Sequence, residues 1–341
     1  MAHFEASSMP KGMEKYTVDH ITSQNLVPVT SLKLLVQGYI LNCQCEGKSP
    51  VTITTYEEHL RRFLSYCRQH DFPDEPQKID IYHIRSFLWY VANEPVRWGG
   101  TSSSSRRPAG QSTVNHYYRV LNTFLGWLTR EGLIVDNPLV HLKTPKIEQK
   151  VIQAFSPKEI QKLLSDCSQR SALGCRNRVI IMMLFDSGMR VSELAHLRLS
   201  DIDINTGAIL IKHGKGGKQR VVRIGSTTQK ALWRYLTLYR RGSTDKLFLS
   251  RTGESLKVDA IKLMIRRLGK TCGVDNVHAH RLRHTFAISF LRAGGDIFTL
   301  KYLMGHSSLI MVENYLKSLS AEDAARAHQR FSPLDNMALK K

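Results

Sequence analysis

Residues 141–155, His-Leu-Lys-Thr-Pro-Lys-Ile-Glu-Gln-Lys-Val-Ile-Gln-Ala-Phe, read as an extended linker. Directly after it, Ser156-Pro-Lys-Glu159 has the form of a helix start. The serine sits at the cap, proline occupies the first turn, and glutamate falls three residues after the cap. This join divides the chain, and 341 residues suit two cores better than one.

Upstream of the join, helical periodicity appears in four stretches, roughly 31–45, 52–69, 80–94 and 111–131. Thr52 or Thr54 is a candidate cap for the second. Residues 98–110 are rich in Gly, Ser and Pro and read as a loop, in which Arg106 and Arg107 are candidate contacts to a phosphate backbone. Downstream, a helix is expected over 176–187, stopped by Gly188, with a short one after Arg190. Residues 208–213 and 219–224 read as two strands of a hairpin turning at Gly214-Lys-Gly-Gly217. Helices follow near 227–240, 257–270, 281–293 and 296–304. The expected fold is mainly α with a small antiparallel β-sheet, in two domains. There is no regular strand–helix alternation to suggest a doubly wound sheet. The divisions are an extension at 1–29, a helical domain at 30–140, the linker at 141–155, a second domain at 156–320 and a tail at 321–341.

The charge is unevenly distributed. Residues 1–150 hold 17 Lys and Arg against 14 Asp and Glu, a net of +3, whereas residues 151–341 hold 32 against 15, a net of +17. Such a surface attracts polyanions, with nucleic acid first among them. The six cysteines have no zinc-finger spacing, and reduced structural thiols are expected. The longest apolar run, Val179–Phe185, is far too short to span a bilayer, and no signal peptide is apparent. A cytoplasmic protein, held at the nucleoid when bound to DNA and with no membrane partner, is the expectation.

The basic half also contains an ordered set of reactive side chains: Arg190 in SGMRVSEL, Lys215 in the hairpin, His280 and Arg283 in HRLRHTFA, His306 in MGHSS, and Tyr315 in ENYLK. Arginine forks match phosphate oxygens bidentately. A tyrosine hydroxyl can attack phosphorus and hold the product as a covalent ester. His280 lies three residues before Arg283, so both can face one side of a helix turn. Glu193, three residues after Arg190, is placed to orient Arg190 or Lys215. His284 is read as structural. The glycine–lysine run is not a nucleotide-binding phosphate loop, because it lies in a hairpin and lacks the full spacing.

In these residues, and in the nine-residue step from His306 to Tyr315, the sequence resembles the tyrosine recombinase (phage integrase) family, in its Xer and transposon-integrase branches. The resemblance implies a helical core-binding domain followed by a catalytic domain. It makes Tyr315 the nucleophile, Arg190 and Arg283 a phosphate clamp, and His280 and His306 proton-transfer or phosphate contacts. Lys215 becomes the general acid, with Lys218 its rival in the same hairpin, and Glu193 a supporting carboxylate. Lys218 and Arg220 are further candidate DNA contacts. The implied reaction is metal-independent and cofactor-free breakage and rejoining of double-stranded DNA at a specific recombination site. The enzyme would act as a dimer per site and a tetramer in synapsis, for mobile-element integration and excision. Xer-type dimer resolution, a type IB topoisomerase and a non-catalytic DNA- or RNA-binding protein are the alternatives.

Overall fold

The computed structural model describes residues 31–95, 108–145, 152–212, 219–306 and 308–316, with residues 319, 323, 325 and 328. Two compact units emerge, residues 1–149 and 150–341.

Among its described residues the first unit holds four α-helices: α1 (Leu32–Cys45), α2 (Pro50–Gln69), α3 (Ile81–Asn93) and α4 (Gln111–Arg130). Each of the first three begins on a side chain that takes up backbone donors otherwise left without partners. Ser31 accepts from Leu34 N, Ser49 from Thr52 N, and Asp80 from Tyr82 N and His83 N. The α2 cap is therefore Ser49, not Thr52 or Thr54. Pro50 follows it in the first turn, where its fixed φ suits a helix and its missing N–H costs nothing. The apolar faces close around aromatic residues, with Phe63 edge-on to Phe87 at 5.1 Å and Tyr39 edge-on to Phe124 at 5.4 Å.

The second unit is built on α6 (Ala172–Ser187), which follows α5 (Pro157–Ser165). The capping box at Ser156 forms as expected, with Ser156 Oγ accepting from Glu159 N and Glu159 Oε2 from Ser156 N. Val179, Ile180, Ile181, Met183 and Leu184 are all fully buried, so α6 is covered on every side from Val179 to Leu184, with Phe185 half-buried. Flanking it are α8 (Ser226–Arg234), extended by a π-helical turn over Tyr235–Tyr239, and α10 (Ala279–Arg292). The remaining helices are α7 (Val191–His196), α9 (Val258–Thr271), α11 (Ile297–Met304) and α12 (Ile310–Leu316).

The sheet has three antiparallel strands where two were expected. They run in the order β1 (Ile202–Asp203), β2 (Ala208–Ile211), β3 (Arg220–Arg223), with Ile202 opposite Ile209 and Ile209 opposite Val222. Strand β3 alternates strictly. Arg220 and Val222 are buried, while Val221 and Arg223 are exposed. Arg220 thus lies on the core face of the sheet, and its expected role as a DNA contact is corrected by that burial. Among the described residues no helix is long and apolar enough to cross a membrane.

Candidate active site

The site forms where the end of α6, the start of α7, the end of α11 and one face of α10 meet. Helix α6 stops at Gly188, whose φ of +62° is the left-handed conformation that glycine adopts without penalty. A side chain there would also strike Phe286, since a Cβ would lie 2.2 Å from its ring. The break leads into Arg190, the residue before α7. Glu193 Oε2 accepts from Arg190 N at 2.7 Å and Glu193 Oε1 from Arg190 Nη1 at 2.8 Å. The same carboxylate receives Arg220, Nη1 to Oε1 at 2.9 Å and Nη2 to Oε2 at 2.7 Å. Glu193 therefore holds Arg190 through two hydrogen bonds, and its second partner is Arg220. Burial pushes its carboxyl up, but the hydrogen bonds from Arg220 and Arg190 outweigh it and hold the pKa below the usual carboxylate range.

Arg283 comes from α10 and is buried. It donates to Gly188 O at 2.7 Å and Met304 O at 2.5 Å, and its Nη2 lies 3.0 Å from His306 Nε2. Burial, then the nearby Arg190, pull its pKa down to about 10, so it remains a cation at neutral pH. Arg190 Nη2 donates to Gly305 O at 3.2 Å and Arg220 Nε to Leu303 O at 2.7 Å. Three successive carbonyls at the end of α11 therefore receive three guanidiniums. A helix C-terminus has orphan acceptors and partial negative charge, and both are answered here.

His306 directly follows this helix end. Gly305, at φ +61°, turns the chain back so that His306 N donates to Lys301 O. The imidazole is buried, and its Nδ1 has no hydrogen-bond partner among the described residues. Burial, then Arg283, Arg190 and Arg220, push its pKa down to about 4. It is neutral at pH 7, able to donate one N–H and accept at the other nitrogen.

Tyr315, on α12, stacks its ring on His306 with centroids 5.9 Å apart and planes 5° apart. Its other neighbour is His284, at 5.2 Å. The phenol is buried, and desolvation raises its pKa, opposed by Arg283 through charge and a hydrogen bond and by Arg190 through charge. His284 is buried against the nucleophile candidate, which fits its reading as structural. His280 is exposed, and its ring lies parallel to that of His278 at 6.5 Å. Desolvation by its surroundings, then Arg283, His278 and Arg190, lower its pKa. His278 itself accepts from Arg281 N and caps α10.

The fold therefore gathers Arg190, Glu193, Arg283, His306 and Tyr315 in one cluster, with His280 on the turn of α10 before Arg283. Lys215, Lys218, Arg106 and Arg107 lie outside the described residues. Sequence reasoning missed Arg220 as a member of the cluster. Chemically, three guanidiniums and one carboxylate leave an excess of positive charge beside a phenol and a neutral imidazole. Such a combination is chemically able to bind a phosphate and to stabilise charge developing on its oxygens.

The buried imidazole gives a stability prediction. The folded pKa of His306 lies below its unfolded value, so the unfolded chain binds the extra proton first. Its contribution is fully present above about pH 6.5 and is lost as pH falls toward 4, by on the order of 3 kcal/mol for a shift of this size. Urea midpoints measured from pH 7 to pH 4 should fall, and His306→Gln should flatten that dependence. An unchanged slope in the variant would mean His306 titrates normally.

Residues 153–322 match the phage integrase family. The tyrosine recombinase XerC of Staphylococcus epidermidis is 33% identical over 272 residues, covering 78% of this chain and 86% of that protein. The tyrosine recombinase XerC of Bacillus pumilus is 30% identical over 297 residues, covering 84% and 92%. Among solved structures, the Tn1549 transposon integrase in complex with transposon right-end DNA aligns with a TM-score of 0.72 at 18% identity, over 89% of this chain and all (100%) of that one. The XerH site-specific recombinase bound to palindromic difH substrate aligns with a TM-score of 0.65 at 22% identity, over 90% and 85%. At those identities the two structures speak for the fold alone.

Proposed function

The chain belongs to the tyrosine recombinase (phage integrase) family, and from that membership we propose a residue-level account of how it breaks and rejoins DNA at a specific site. The Tyr315 oxygen attacks the scissile phosphorus as its phenol proton passes to the imidazole of His280 or to solvent. The bond to the 5′ oxygen breaks, and that oxygen takes a proton from Lys215. The products are a 3′-phosphotyrosyl ester and a free 5′ hydroxyl. The hydroxyl of the partner duplex then attacks the ester and releases Tyr315. One phosphoester bond is exchanged for another, so no nucleotide hydrolysis is needed. Arg190 and Arg283 hold the non-bridging oxygens, His306 donates to one of them, and His280 assists proton transfer at the edge of the site. The observation that carries the reading is the stacking of Tyr315 on His306 beside Arg283, three residues brought together from α10, α12 and the end of α11.

The substrate is double-stranded DNA carrying a recombination site. Two protomers would bind each site and four would form the synaptic complex, at the nucleoid in the cytoplasm. The sequence relatives at 30–33% identity carry Xer names, which favours the Xer-type alternative over mobile-element integration. The domain roles follow the same reading, with a DNA-binding helical domain at 30–140, a catalytic domain at 156–320, and a tail from 321 that contacts a neighbouring protomer.

The experiment is selection of bound duplexes from a randomised pool, followed by recombination of two copies of the recovered site. Relaxation of supercoiled plasmid that ignores the site, with no recombinant product, would favour a topoisomerase. With +17 on residues 151–341, log affinity should fall linearly and steeply with log salt through counterion release. Affinity that ignores salt would contradict a basic DNA-binding face. Cleavage should persist in EDTA, because the guanidiniums supply the charge stabilisation.

A further inference from the structure

Resting on the recombinase reading, we infer that Arg220 is a positioning residue for the phosphate clamp, setting where Arg190 and His306 point. Its hydrogen bonds hold it in that role. Arg220 is buried, so it is not a surface available to DNA. Its Nε is committed to Leu303 O, and its two terminal nitrogens each take one oxygen of Glu193. Those contacts tie together three pieces of chain: β3, the carboxylate that fixes Arg190, and the last turn of α11 that fixes His306.

The geometry leaves little slack. Glu193 Oε1 receives both Arg190 Nη1 and Arg220 Nη1, so the carboxylate is held from two sides. Without Arg220 the carboxylate would keep, among the described residues, only its bonds from Arg190 N and Nη1, both on one residue, and Arg190 would lose its tie through Glu193 to β3 and Leu303. The neighbouring carbonyl of Gly305 already receives Arg190, and that of Met304 receives Arg283. Displacing the helix end would move both anchors together. A Cβ at Gly305 would lie 3.0 Å from Arg220 Nη1, a tight contact, at a φ of +61° that side chains rarely adopt. Arg220 is also the first residue of β3 and follows Lys215 and Lys218 closely in sequence.

Lysine in this place keeps the charge but cannot span Leu303 O and both carboxylate oxygens at once. Arg220→Lys is tested on a nicked duplex carrying the selected site, in single turnover, with wild type and Tyr315→Phe alongside. The expected result is unchanged affinity, an unchanged salt slope and an unchanged adduct amplitude. The rate of adduct formation should fall by about 100-fold, the scale of a small misplacement of reacting groups. A bridging 5′ sulfur, which leaves without a proton, should not restore it. A lower amplitude at the wild-type rate would make Arg220 a stability residue only and overturn the proposal. Weaker binding with a shallower salt slope would make it a DNA contact and overturn it. Rescue by sulfur would route it through the leaving-group acid instead and overturn it. Should Arg220→Lys fold poorly, the paired Arg220→Met with Glu193→Leu removes both buried charges together, and the same rate loss without sulfur rescue is expected. No adduct from wild type on any selected site would instead sink the recombinase reading, a result separable from a defect confined to the Arg220 variants.

Discussion

Tyr315→Phe is expected to abolish the covalent protein–DNA adduct while retaining DNA binding, since affinity comes chiefly from phosphate and groove contacts and not from a nucleophile's oxygen. The substitution removes one oxygen and keeps the ring that stacks on His306 and packs against His284. The packing cost is therefore small and the chemical cost total, because no other atom of that ring can attack phosphorus. An ordinary phenol titrates near pH 10, and burial raises this one further. Attack near neutral pH thus depends on Arg283 and Arg190 stabilising the phenolate as it forms. A denaturing gel after incubation with a nicked duplex reads the adduct directly. Undiminished adduct in the variant would move the nucleophile elsewhere, and exposed Tyr302 on α11 would be the next to replace.

Much of the frame was legible because its signals are local. The fourth periodic stretch was expected over 111–131 and the helix is Gln111–Arg130. Ser156-Pro-Lys-Glu159 announced α5, and Gly188 announced the end of α6, because capping and left-handed backbone are written in a few adjacent residues. The same Ser-Pro signal stands at Ser49-Pro50, where the two threonines that follow offer competing caps. Strand β1 escaped because two residues are too few to show alternation. Helix α6 begins at Ala172, ahead of the expected 176, since Ser171 supplies the cap.

The site was legible as a set of residues and much less so as a geometry. Arg190 and Arg283 stand 93 residues apart, and nothing local says that both would anchor on carbonyls at the end of α11. Arg220 is the instructive miss. Its strand was recognised, and the alternation of period two places it on the face of Val222, toward the core. Reading it by charge alone sent it to DNA. The partner that makes its burial tolerable, Glu193, lies 27 residues away and is visible only in the folded chain.

The leaving-group acid and the clamp are separable by one chemical change in the substrate. If Lys215 protonates the 5′ oxygen, its loss matters only while that oxygen leaves poorly. Lys215→Ala should be slow on normal DNA and largely restored when the bridging 5′ oxygen is replaced by sulfur. Arg190→Ala should stay impaired on both, because its charge acts on the non-bridging oxygens, which the replacement leaves alone. The expected loss is about 3 kcal/mol or more, on the order of 100- to 1,000-fold in rate, the scale of removing one donor to a developing oxyanion. Arg190 suits the comparison better than Arg283. Its side chain keeps 25% of its exposure, whereas Arg283 is buried on the carbonyls of Gly188 and Met304, so its removal would also orphan buried acceptors. Rescue of Lys218→Ala in place of Lys215→Ala would reassign the acid within the hairpin. Rescue of neither would take the hairpin out of the proton-transfer step and leave the 5′ oxygen to His280, the exposed imidazole on the turn before Arg283.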